Sequence, residues 1–130
     1  MTEPLATAVK RENFELIAAS LRANAQDIDV FVQVLAEKFE AAVPDATHVE
    51  RAGLRGGGRV KTIAVELRDH RYRVDDRGRH PSRSHVVRGI TLKSDDLSLD
   101  EWIESLAYDL AQEAERTERG RLALAEFLDE

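Results

Sequence analysis

The chain has 130 residues, a formal net charge of -6 and no cysteine. That length suits one domain that buries about two thirds of its unfolded surface, enough for a core without covalent staples. Disulfide frameworks, thiol nucleophiles and cysteine-ligated zinc are excluded, and no apolar run approaches the roughly 20 residues of a membrane span.

Met1-Thr2-Glu3-Pro4 lacks the basic and apolar regions of a secretory signal, so the expected location is cytoplasmic. Between Val9 and Asn24, Phe14, Ile17 and Leu21 recur at helical spacing, with Ala18 beside them. A second stripe, Ile28, Phe31, Val34 or Leu35, Phe39 and Val43, follows an N-cap at Asp27 and ends before Pro44, because the residue preceding proline is pushed out of helical conformation. Residues 9–43 thus read as a helical hairpin linked at Asn24 to Gln26.

Thereafter the period changes. Thr47 to Ala52 reads as a first edge strand, joined to the next by the Gly56-Gly57-Gly58 loop. Ile63, Val65 and Leu67 alternate on one face of a strand, and Arg71-Tyr72-Arg73-Val74 continues the alternation after Asp69-His70. With Asp69-His70 as the loop, Leu67 faces Tyr72, Val65 faces Val74 and Glu66 faces Arg73, which keeps the apolar pairs on one face. Asp75 to Ser84 is a charged loop with Gly and Pro. Val86 to Leu92 reads as one further strand, with a bulge at Gly89 that sends Val87, Ile90 and Leu92 inward and Arg88 outward.

The last segment returns to helix. Ser98-Leu99-Asp100-Glu101 fits a capping box. Leu99, Trp102, Ile103, Leu106, Leu110 and Ala114 form the stripe behind it, with Trp102 as a core anchor. Leu124, Phe127 and Leu128 extend the helical pattern, with Gly120 either breaking one long helix or tolerated inside it. The expected fold is a single α+β domain in the order α-α-β-β-β-β-α-α. It consists of a helical hairpin over 9–43, a small antiparallel meander sheet over 47–93, and one or two helices over 98–129, with all helices on one face of the sheet.

Charge follows the same division. Residues 1–50 carry 4 basic and 9 acidic side chains, residues 51–93 carry 12 and 4, and residues 94–130 carry 3 and 12. The net charge therefore averages a basic centre and two acidic flanks. Arg outnumbers Lys 15 to 4, a bias that a GC-rich genome produces and that says little about arginine-specific chemistry.

Sites for chemistry are harder to find. Gly56-Gly57-Gly58-Arg59-Val60-Lys61-Thr62 ends like a phosphate loop, but Lys61 comes too late and a strand follows where a helix N-terminus is needed. His70, His80 and His85 lie near Asp69, Asp75 and Asp76 without metal-ligand spacing, so solvated loop histidines are expected and no metal. Ser82, Ser84 and His85 lack the elbow that presents a nucleophile. The expectation is no enzyme, no catalytic residues and no cofactor.

The basic centre is the feature with functional potential. Arg68, Arg71, Arg73, Arg77, Arg79, Arg83 and Arg88 are the candidate partner- or anion-contact residues, converging on one hairpin face and its loop. Binding to an acidic protein surface or to a second copy is the first reading, with homodimers the commonest case. Phosphate-backbone or nucleic-acid binding is the alternative, set back by the scarcity of aromatics and the acidic flanks. In size, acidity and helices flanking a small sheet, the chain resembles secretion-chaperone-like domains in architecture alone, and no family follows from that. The function expected is that of a self-associating adaptor, scaffold or chaperone-like module.

Overall fold

In the computed structural model, residues 3–53 and 58–128 are described; Gly56 and Gly57 of the glycine loop lie outside them. Helices α1 (Glu3–Ala25) and α2 (Ile28–Ala42) form the hairpin. Asp27 stands at the N-cap of α2, where its backbone carbonyl, not its side chain, accepts from Val30 and Phe31. A single 3-10 turn, Pro44–Ala46, leads into the sheet.

The sheet is an antiparallel meander of five strands in sequential order: β1 (Thr47–Arg51), β2 (Val60–Leu67), β3 (His70–Asp75), β4 (Ser82–Val87) and β5 (Ile90–Asp96). Helices α3 (Leu99–Arg116) and α4 (Glu118–Leu128) complete the chain. The molecule is thus the expected α+β meander with one strand more than the periodicity suggested.

That extra strand corrects the reading of Val86–Leu92. Arg88 and Gly89 have φ of 53° and 80°, the pair of left-handed residues of a type I′ turn, and Val87 pairs with Ile90 across it. The residues form a hairpin, and the bulge lies between Thr91 and Lys93, at Leu92. A second correction concerns β2 and β3. The turn is Arg68-Asp69, so Leu67 pairs with His70, Glu66 with Arg71, Val65 with Tyr72 and Ile63 with Val74. The slip from the expected register is two residues, which leaves every side chain on its face; one residue would have turned the apolar set to solvent.

The core lies between the inner sheet face and the helices. Ile63, Val65, Leu67, Tyr72 and Val74 meet Phe31, Leu35 and Phe39 of α2 and Trp102, Leu106 and Leu110 of α3, all buried. Trp102 sits at its centre, edge-on to Phe31 and Tyr72 at 6.3 and 6.0 Å between ring centroids. Helix α1 adds Ile17, Ala18 and Leu21 and packs mainly against α3, while α4 packs against α3 and α2. The Ser98–Glu101 capping box forms in both directions, at 3.1 and 3.0 Å. The two last helices divide at Thr117, three residues before Gly120. The side chains of Phe127 and Leu128 fall outside the described set. No described helix is long and apolar enough to cross a membrane.

Candidate functional site

The seven candidate arginines do not form one surface. Arg71 and Arg73 lie on the outer sheet face, as expected, but each has a carboxylate beside it on that face. Arg71 donates from Nε and Nη2 to Glu66 at 3.1 and 2.8 Å, and Arg73 lies 3.8 Å from Glu50 of β1. Arg68 and Arg88 occupy left-handed positions in turns at one end of the sheet, not strand positions on its face. Arg77 and Arg79 are in the β3–β4 loop at the other end, where both backbone amides donate to Asp75 and the Arg79 guanidinium reaches its second oxygen. Burial opposes ionisation of Asp75, but these donors outweigh it and hold the carboxyl below its ordinary pKa. Arg83 is opposite Tyr72, so it points to the helical side and donates to Ser105 Oγ at 2.7 Å. The sheet's positive charge is dispersed over two faces and two ends.

What the structure brings together instead is an overhang. Helices α2 and α3 cover β1 to β3 and reach β4 over Ser82 to His85, beginning where Trp102 Nε1 donates to the Ser82 carbonyl at 3.1 Å. Past His85 the tip of the β4–β5 hairpin leaves Val87, Ile90 and Leu92 exposed. Val87 and Ile90 fall on the helical side of the sheet, as the alternation from Arg83 and His85 requires, but both are exposed. Ile90 is 63% and Leu92 60% exposed, so the inward burial expected for Val87, Ile90 and Leu92 does not occur. Strand β5 is also the edge of the sheet, and a regular edge offers unpaired N–H and C=O groups to another chain.

Where helical cover ends, the inner face becomes polar. Asp109, on the buried face of α3 and 4% exposed, accepts from the Tyr72 hydroxyl and lies 2.6 Å from His70 Nδ1. Tyr72 and Arg83 both reach Ser105. Burial, then the bond to Asp109, raises the Tyr72 phenol well above its ordinary pKa. His70 and His85 face each other across β3 and β4 with ring centroids 6.0 Å apart, and line a cleft of about 230 Å³ with Arg68, Asp69, Tyr108 and Asp109. Beside it a shallow groove of about 410 Å³ runs between Phe14, Leu97 and Tyr108, with Arg83 and Ser105 on its wall.

Chemically this junction is a closed hydrogen-bond network. Ser105 Oγ is shared by Tyr72 and Arg83. Among the described residues, no three histidine or carboxylate side chains are grouped to hold a metal ion. The network joins β3 and β4 to α3 at the base of the exposed hairpin tip.

Sequence reasoning missed Asp109 and the edge of β5. The first had a signal: Asp109 follows Trp102 by seven residues and therefore shares its buried helix face. The second had one too, since Arg88-Gly89 inside an apolar run is a turn signal. Comparison with known proteins finds no protein-family model, no curated protein and no solved structure that matches the chain.

Proposed function

We propose that the chain is a non-enzymatic protein–protein interaction module, an adaptor, scaffold or chaperone-like component, that receives a partner strand along the open edge of β5. The observation that carries it is the overhang: an exposed edge strand that bears Ile90 and Leu92 in solvent, paired to a strand, β4, that is hydrogen-bonded to α3 at Ser82 and Arg83. Strand addition takes its affinity from main-chain hydrogen bonds and its selectivity from alternate side chains, and β5 supplies both. The pairing of the outer-face arginines with Glu66 and Glu50 also favours a protein partner over a phosphate backbone.

Site-specific photo-crosslinking in the source cells tests this. A benzophenone side chain at position 92 should yield discrete protein adducts, whereas one at position 73, on the outer face of β3, should yield none. Absence of adducts from position 92, or the same adducts from both, would overturn it.

A further inference from the structure

We infer that the partner fitting this edge is a second copy of the same chain, paired antiparallel through β5 with Ser94 on the two-fold axis; the inference rests on the docking function proposed above. The first support is the direction of the backbone groups. Leu97 N–H donates to the Pro81 carbonyl at 2.9 Å, so Leu97 points its backbone at β4. Residues of an antiparallel strand alternate between their two neighbours. Asp95 and Lys93 therefore also face β4, while Ser94 and Asp96 offer their N–H and C=O groups to the open side.

The second support is charge. Lys93 and Asp95 lie on one face of β5, 3.8 Å apart at their charged ends, with side chains 72% and 40% exposed. A two-fold axis through Lys93 would set lysine opposite lysine, and one through Asp95 aspartate opposite aspartate. An axis through Ser94 sets Lys93 opposite Asp95 of the second copy, twice, at non-hydrogen-bonded positions where cross-strand side chains approach most closely. It also gives Ser94 the hydrogen-bonded pair at the axis, which its outward backbone groups require. Leu92 comes to lie at each end of the paired segment, where a neighbour removes it from water.

The third support is closure. A lysine and a bulge are devices that discourage indiscriminate strand addition, and β5 has both, in Lys93 and at Leu92. The bulge limits the pairable edge to about 92–96, and the lysine selects a strand with an acid two residues on, which this chain itself carries. The other edge, β1, is five residues long, irregular at Glu50/Arg51 and charged at those two positions. The assembly therefore stops at two copies, with an isologous interface. Both helical layers lie on the same side of one continuous sheet, kept apart by four uncovered strands, roughly 15–20 Å.

Light scattering coupled to size exclusion reads the result. The unaltered chain should run as a dimer at micromolar concentration. Lys93→Asp and Asp95→Lys should each raise the dimer dissociation constant by about tenfold or more, since each sets like charges opposite one another twice. Mixing the two variants should restore a dimer, because every cross-strand pair is then of opposite sign; this outcome requires that both fold. Ser94→Pro should give a monomer with unchanged Trp102 fluorescence, as its N–H faces the open edge. A monomeric unaltered chain whose position 92 cross-links to a different protein would overturn the second-copy assignment and leave the docking function standing. A dimer indifferent to all three substitutions would overturn the register. A monomer with no adduct at position 92 would remove both.

Discussion

Asp109 occupies a helix position that the hydrophobic period assigns to the core, and it survives there because two groups from β3 come to it. A buried carboxylate without partners costs several kcal/mol, so His70 and Tyr72 are what make the position tolerable. Tyr72→Phe removes the donor to that carboxylate and the acceptor for the Ser105 hydroxyl, and should destabilise the fold by about 1–3 kcal/mol. It should also change the alkaline limb. The unfolded phenol ionises near pH 10, whereas the native one, raised by burial and by Asp109, stays protonated. Its contribution is therefore complete below about pH 10 and is lost as pH rises above it. Urea unfolding from pH 8 to 11 should show a shallower fall in stability for Tyr72→Phe than for the unaltered chain; equal slopes would contradict the raised phenol.

At the scale of elements, the break between α3 and α4 is placed by Thr117 and tightened by Gly120. Thr117 Oγ1 donates to the Glu113 carbonyl at 3.2 Å and accepts from Gly120 N–H at 2.9 Å, so one side chain ends one helix and starts the next. A Cβ at Gly120 would lie 2.3–2.4 Å from the Glu113 carbonyl group. Gly120→Ala gains about 1 kcal/mol of helix propensity but must push α4 off α3, a backbone displacement that costs about 1–3 kcal/mol. The expected result is a lower midpoint of thermal unfolding; a higher one would mean that the two helices part freely.

The elements also show what was legible. The stripes of α1, α2 and α3, the capping box and the faces of β2 and β3 follow from spacing alone, because each is a local pattern against a core. The β2–β3 register did not follow, since a two-residue slip keeps the same faces and only the Arg68-Asp69 turn geometry decides between the two. The course of β5 did not follow either. Burial was inferred from apolarity at Val87, Ile90 and Leu92, but whether a helix lies over a strand depends on where distant elements end. The seven arginines failed as a cluster for the same reason: density along the chain does not specify face or end.

On the scale of the whole molecule, the meander joins neighbours in sequence, whereas the helical layer joins the two ends of the chain. Helix α1 packs on α3, and α2 on α4. Arg22, in the last turn of α1, reaches Asp100 and Glu104 of α3 at 2.9 and 3.3 Å. Removing residues 99–130 takes away Trp102, Leu106 and Leu110 and uncovers Tyr72 and Val65. The shortened chain should show no cooperative transition on heating by circular dichroism, and a sharp transition would show that the N-terminal hairpin and sheet suffice.

This interlocking sets an order of events during synthesis. Two helices and the whole sheet are translated before α3 and α4, which complete their cover. At about 5–20 residues per second, translation from the end of β5 to the end of α4 takes about 2–6 s. Meander pairings form far faster than that, with hairpins closing in about 1–10 μs. The nascent chain therefore spends seconds with its sheet residues made and only α2 to cover them, and the cooperative core forms only when α3 and α4 close over it.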